Sequence, residues 1–192
     1  MEPFGRLRSR TVVLPATDID TDQIIPARYL TTTSRTGLGR HLFAGWRYTT
    51  DGAPQPGFAL NRPEAAGCAI LVAGRNFGCG SSREHAAWAL YDYGIRVVIS
   101  SEIADIFRSN ALKNGLLPMV VDAGLHAWLL AHPGAELEVD LDACRLRLPD
   151  GRELPFTLES FARHCLLHGV DELGHLLAQT PAIEAFERQN GR

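Results

Sequence analysis

Between Gly74 and His85 the chain reads GRNFGCGSSREH. Gly74, Gly78 and Gly80 free the backbone to turn tightly and to approach an anion. Ser81 and Ser82 bring paired hydroxyls, and Arg83 brings a planar fork that suits a carboxylate or a phosphate. An apolar run follows, so a helix starting here turns its free amide groups toward the same place. These residue types in this order suit an anion cradle, a nucleophile or a proton-transfer site.

Two nucleotide-binding patterns fail on the stretch. Counted from Gly74, Cys79 stands where a phosphate loop needs its second glycine, and no lysine precedes the serines. Gly78 and Gly80 fit the start of a dinucleotide fingerprint, but Arg83 occupies the third glycine position. Cys79 as nucleophile lacks an assigned base. The bland alternative is a capping box, with Ser81 as N-cap and Glu84 reaching back. That leaves the second serine, the arginine and the glycines without a reason.

Other polar groupings are less specific. Asp18, Asp20 and Asp22 have calcium-loop spacing, but Gln23 replaces the required glycine and Tyr29 the bidentate glutamate. They read as turn-forming aspartates with local hydrogen bonds. His164 and His168 lie at i, i+4 without the glutamate of a zinc helix, so they read as a solvated or packed pair. His85 lies one turn into its helix, where a structural and a functional role are both open.

The elements that must position these residues follow from pattern. TVVLP is a first strand, DIDTDQIIPARYL an acidic turn feeding an extended piece that Pro26 interrupts, and TTTSRTGLG a polar loop. CAILVAG is a continuous apolar run, hence a buried strand, RVVIS is a second buried strand and LLPMVVD a third strand. Between them lie a helix over 82–93 stopped by Gly94, and a helix in SEIADIFRSNALKNG capped by Ser101 and stopped by Gly115. Ile103, Ile106, Phe107 and Leu112 form the core stripe of that second helix. Strand and helix alternate with short links, which predicts an α/β core with parallel pairing. A helix over 125–131 follows, then AELEVDLDACRLRLPDGRELPFTL alternates as a β-meander. The stretch from 160 to 189 reads as short helices broken at Gly169 and Pro181. Segments 31–39 and 49–57 are the candidates for disorder.

The 192 residues suffice for one domain with a core, and 45% hydrophobic with 21% charged residues describes a globular chain. A net charge of -3 argues against a nucleic-acid binder. The apolar runs are too short to span a bilayer, and no signal-peptide h-region is present, so a cytoplasmic location is expected. The four cysteines form no C-x-x-C pair, which argues against a disulfide framework or a self-contained metal or cluster site. Cys68, Cys144 and Cys165 read as buried reduced thiols.

Taken together, DIDTDQIIPARYL, SRTGLGRHLF, GRNFGCGSSREHAAWALYDYG, ADIFRSNALKNGLLP and FTLESFARHCLLHGVDELG resemble the small-subunit family of 3-isopropylmalate dehydratase, stand-alone relatives of the aconitase swivelling domain. The resemblance implies an α/β swivel-type domain over 1–192: a mixed or parallel sheet core with flanking helices, a C-terminal β-meander, and a helical tail over 160–192 packed on it or on a partner. It implies that Ser81 acts as base, and that Ser82 and Arg83 bind substrate carboxylate or stabilise the serine alkoxide. Asp22 matches an active-site aspartate. A substrate-binding arginine maps to Arg35, with Arg28 and Arg40 nearby. The implied reaction interconverts 2- and 3-isopropylmalate by dehydration and rehydration through isopropylmaleate, in leucine biosynthesis. A [4Fe-4S] cluster is implied on a separate large subunit, with a small dicarboxylate as substrate and no nucleic acid or membrane as partner. The alternatives are a homoaconitate or citraconate hydratase subunit, with the TTTSRTGLG loop choosing the side chain, and a non-catalytic dicarboxylate-binding protein.

Overall fold

A computed structural model describes residues 1–191. The expected domain 1–192 and tail 160–192 both end on Arg192, which lies outside the described residues. The chain opens with β1 (Arg6–Leu14), then a four-residue helix α1 (Thr21–Ile24) and α2 (Ala44–Arg47). Strand and helix then alternate through β2 (Ile70–Ala73), α3 (Glu84–Tyr93), β3 (Val97–Ser100), α4 (Asp105–Lys113), β4 (Leu117–Val120) and α5 (Ala123–Ala131). The meander follows as β5 (Glu136–Asp140), β6 (Arg145–Arg147) and β7 (Glu153–Pro155), and the chain closes with α6 (Ser160–His168), α7 (Glu172–Ala178) and α8 (Thr180–Gln189).

All strands form one sheet in the order β4-β3-β2-β1-β5-β6-β7. The first four run parallel, and the meander adds antiparallel on the far edge of β1. This is the mixed sheet that the alternation and the meander predict. β1 is the seam, and its two halves differ. Thr11–Leu14 pair with Ile70–Ala73, while Arg6–Arg10 pair with Glu136–Asp140. Arg6 Nη2 bonds Asp140 Oδ2 at 2.7 Å, and Arg8 Nε bonds Glu136 Oε1 at 2.8 Å.

The inner strands read as unbroken apolar runs because both faces are covered. Ile70 and Val72 pack on one side with Val97, Ile99, Leu117, Leu125 and Leu137. Leu71 and Ala73 face the other way, toward Ile24, Phe43, Phe77, Leu90 and Phe107.

Several local expectations are corrected. The DIDTDQIIPARYL segment is not extended: Asp20 Oδ1 accepts from the Gln23 amide at 2.7 Å and Gln23 Oε1 from the Asp20 amide at 2.9 Å, a reciprocal cap that starts α1. Residues 27–29 add a 3₁₀ turn. Ser101 does not cap α4, which starts after Ala104 without a side-chain cap. Residues 102–104 are instead tied to Phe77, whose amide donates to Glu102 O and whose carbonyl accepts from Ala104 N. Ile106 is 42% exposed and belongs to no core, unlike Ile103 and Phe107. Cys68 and Cys165 are buried free thiols, but Cys144 is only half-buried. Pro181 lies in the first turn of α8 rather than between helices. Apart from these corrections, segments 31–39 and 49–57 make internal bonds, such as Ser34 N to Thr32 Oγ1 at 3.0 Å and Thr49 N to Ala53 O at 2.9 Å.

Candidate active site

The serine turn leaves the carboxyl end of β2, and segments 15–20 and 101–104 leave the carboxyl ends of its neighbours β1 and β3. Ligands of open α/β sheets collect at these ends. The turn is laced to the first segment by main-chain bonds: Asp18 N to Arg75 O at 2.8 Å, Gly78 N to Ile19 O at 2.7 Å, and Thr21 N to Cys79 O at 3.0 Å. Thr21 Oγ1 donates to the Ser81 carbonyl at 2.9 Å, and Asn76 Nδ2 to Asp18 Oδ1 at 2.7 Å. The Phe77 bonds described above fix the opposite side.

Two glycines make this approach possible. A Cβ on Gly74 would stand 2.1 Å from the Ala16 carbonyl oxygen. Gly78 has φ +75°, and a Cβ there would meet Phe107 Cγ at 2.4 Å. No side chain fits either place.

The capping-box reading is corrected here. Helix α3 starts after Arg83, whose backbone is extended (φ −140°, ψ 105°) and which makes no side-chain cap. Ser81 lies too early to cap it, with its carbonyl drawn to Thr21. Ser82 does not share the cap either, because its Oγ faces Asn110 Nδ2 at 3.4 Å. Ser81 and Ser82 are both exposed. Among the described residues no protein group bonds the Ser81 hydroxyl, so it is available for chemistry.

Arg83 and Asp22, 61 residues apart in sequence, form a paired contact beside the serines. Arg83 Nη2 donates to Asp22 Oδ2 at 2.7 Å, and Nη1 sits against Oδ1 as an ion pair without hydrogen-bond alignment. The Arg83 side chain is 14% exposed and Asp22's is 55%, so the cation is sheltered and the carboxylate is open. The Arg83 bond holds the Asp22 carboxyl below its ordinary range, and Asp22 in turn holds the guanidinium protonated.

The Cys79 thiol faces the Asp18 carbonyl at 3.4 Å, and among the described residues no base bonds it. Burial first, then Asp20 and Asp18, push its thiol up, which keeps it protonated near neutral pH. The three arginines of the upstream loop separate into two places. Arg28 lies over the Tyr29 ring at 4.7 Å, Tyr29 stacks on His41 at 3.8 Å, and Arg40 Nε donates to His41 Nε2 at 3.1 Å. Burial and these two arginines hold the His41 pKa down. Arg35 lies apart, lining a cavity of about 360 Å³ with Trp88, Tyr91, Arg96 and Asn114. None of the three bonds Ser81, Ser82, Asp22 or Arg83 among the described residues.

The sequence reading missed Thr21, Asn110 and Asn114. The two asparagines carried one signal: polar residues at i, i+4 on the inner side of a helix, both buried. His164 and His168 are stacked at 4.2 Å, and His175 joins them edge-on to His164 at 5.2 Å. Among the described residues no group of three His, Cys, Asp or Glu side chains could hold a metal ion.

Residues 1–124 match a family model described as the aconitase C-terminal domain, and residues 125–160 match one described as LeuD_N. The 3-isopropylmalate dehydratase small subunit of Anaeromyxobacter dehalogenans is 65% identical, covering 97% of this chain and 98% of that protein. The protein of the same name from Chloroflexus aurantiacus is 55% identical, covering 97% and 95%. The crystal structure of 3-isopropylmalate dehydratase from Methanocaldococcus jannaschii superposes with a TM-score of 0.71 at 29% identity, covering 95% of this chain and 99% of that one.

Proposed function

The chain belongs to the family of 3-isopropylmalate dehydratase small subunits, and we propose that it brings the serine turn as one half of a hydro-lyase active site. The reaction is the interconversion of 2-isopropylmalate and 3-isopropylmalate by loss and return of water through isopropylmaleate, in leucine biosynthesis. A separate large subunit is the partner, a small dicarboxylate is the substrate, and the pair acts in the cytoplasm. Residues 1–192 act as one swivel-type domain, with 160–192 as its helical tail.

The donor set of this chain does not fit an iron–sulfur cluster. Its four cysteines are free, and none belongs to a metal-competent group among the described residues. The [4Fe-4S] cluster, as Lewis acid for the leaving hydroxyl, is therefore assigned to the large subunit.

This chain's residues do the rest. Ser81 Oγ takes the proton from the carbon next to a substrate carboxylate, and returns it when water adds back in the other orientation. Arg83, with Ser82 beside it, holds a substrate carboxylate. Asp22 keeps the guanidinium aimed until substrate arrives, and Arg35 or Arg28 takes the second carboxylate. A serine hydroxyl is a poor base in water, since its pKa lies far above neutral. Among the described residues no protein group bonds this hydroxyl, so the donors that stabilise its alkoxide must come together when substrate and partner complete the site. The site must also be dried, which the partner does by covering the exposed serines.

The carrying observation is the unbonded, exposed Ser81 hydroxyl next to the Arg83–Asp22 pair. The test is anaerobic reconstitution with a cluster-loaded large subunit, following isopropylmaleate by its ultraviolet absorbance. Turnover is expected only in the mixture. Ser81→Ala is expected to lose about 10³-fold or more in kcat while still co-purifying with the large subunit. Turnover that survives the substitution removes Ser81 as the base.

A further inference from the structure

His85, Trp88 and Asp92 stand at i, i+3 and i+7 on α3, a spacing that shares one helix face. Each holds the 31–39 segment at a different point. His85 Nε2 lies 2.8 Å from the Thr32 carbonyl, which only accepts, so Nε2 carries a hydrogen and donates it. The Arg35 guanidinium lies over the Trp88 ring, 5.4 Å from its centroid. Asp92 Oδ2 accepts from the Gly39 amide at 2.7 Å. The His85 and Trp88 rings also meet, with centroids 4.5 Å apart.

The same face is wired to the serine turn. Trp88 Nε1 donates to Asn114 Oδ1 at 2.8 Å, Asn114 Nδ2 to the Asn110 carbonyl at 2.8 Å, and Asn110 Nδ2 to Ser82 Oγ at 3.4 Å. Asn110 and Asn114 are buried between α3 and α4, where an apolar pair would serve simple packing. A buried polar chain whose links are made fixes one arrangement of the elements it joins.

We propose that His85 and Trp88 are positioning residues: they seat the Arg35 segment on the helix that the serine turn opens, so that the carboxylate-binding arginine and the catalytic turn form one preorganised unit. The proposal rests on the functional reading above, with Arg35 rather than Arg28 as the arginine that takes the second carboxylate. Without the seat, only a fraction of molecules present Arg35 in place, and the apparent affinity for substrate falls by that fraction. The chemical step at Ser81 keeps its groups and its rate.

The test compares His85→Ala with His85→Gln, whose side-chain amide can still donate to Thr32 O. Limited trypsin digestion of the full chain, with fragments weighed by mass spectrometry, reads the seat directly through cleavage after Arg35. Steady-state kinetics of the reconstituted assembly read its use. His85→Ala is expected to speed that cleavage and raise KM for 2-isopropylmalate, each by roughly 3- to 10-fold, the worth of one hydrogen bond. Its kcat is expected to stay within about twofold of the parent, and His85→Gln to recover most of both losses. Unchanged cleavage after Arg35 in His85→Ala overturns the proposal, and so does a loss confined to kcat. If the parent assembly does not turn over isopropylmalate, the functional reading fails separately, and the cleavage rates alone decide the seat.

Discussion

The serine turn and the C-terminal helices are held in opposite ways. Residues 74–83 are laced by main-chain bonds to the ends of two other strand exits, and they tolerate no Cβ at Gly74 or Gly78. Helices α7 and α8 bury no residue, and Leu173, Leu176, Leu177, Ile183 and Phe186 stand 48–66% exposed. They connect to the body through few ties, such as Lys113 to Glu172 at 3.5 Å. A backbone lattice fixes atoms with little freedom to relax, as a group that must meet a substrate carbon requires. Helices α7 and α8 carry apolar residues at helical spacing, Leu173, Leu176 and Leu177 then Ile183 and Phe186, but leave them exposed and so lack that constraint.

That contrast breaks first at Gly74. Gly74→Ala forces a Cβ into the Ala16 carbonyl, at a cost on the order of 3 kcal/mol. The expected fall in melting temperature is about 6 to 12 °C, read by differential scanning calorimetry. A fall of under 2 °C would mean that the turn has slack and that the lattice does not define it.

The Asp22–Arg83 contact is the intermediate case, because it adds a side-chain bond to a backbone already placed. The folded-state pKa of Asp22 is lowered, first by its hydrogen bond from Arg83. Its stabilisation is therefore present above the unfolded carboxylate value and is lost as pH falls through the lowered one. Asp22 is largely exposed, so solvent screens the pair and the effect on stability is small. Melting curves of the parent and Asp22→Asn should differ by a few degrees at most near neutral pH, and converge as the pH drops below 3.8, the ordinary aspartate value. A gap that persists into strong acid points to packing rather than charge.

The smallest effect is expected from the tail. Ending the chain after Val170 removes α7 and α8, and should shift the melting temperature by no more than about 2 to 4 °C, near 1 kcal/mol. A larger loss would show that these helices support the sheet despite their exposure.

How much of this was legible follows the same division. The strands were readable because burial on both faces leaves unbroken apolar residues in AILVA and VVI. The serine turn was readable because its residue types have few uses other than anion chemistry. Its contacts were not, since Asp22, Thr21 and Asn110 lie far from it in sequence and each is a common residue in an ordinary setting. The helix start failed for that reason: Ser81-x-x-Glu84 fits a local rule, but Thr21 claims the Ser81 carbonyl and delays the helix to Glu84. In the opposite direction, Asp20-x-x-Gln23 was a usable capping box that the acidic-turn reading passed over. The arginines of the 28–40 segment differ only by the ring each one meets, which sequence spacing does not encode.

The divided pairing of β1 has a consequence for how the chain is made. On the ribosome β1 emerges before β5, and its second edge is closed only when Glu136–Asp140 appear, more than a hundred residues later. For most of synthesis that edge is open to strands of other nascent chains. The exposed half is the one that carries Arg6, Arg8 and Arg10, and like charges on neighbouring copies repel. The acidic strand that finally covers it, with Glu136, Glu138 and Asp140, has the complementary charge. The arginine ladder thus acts as a gatekeeper against self-pairing before it acts as a contact.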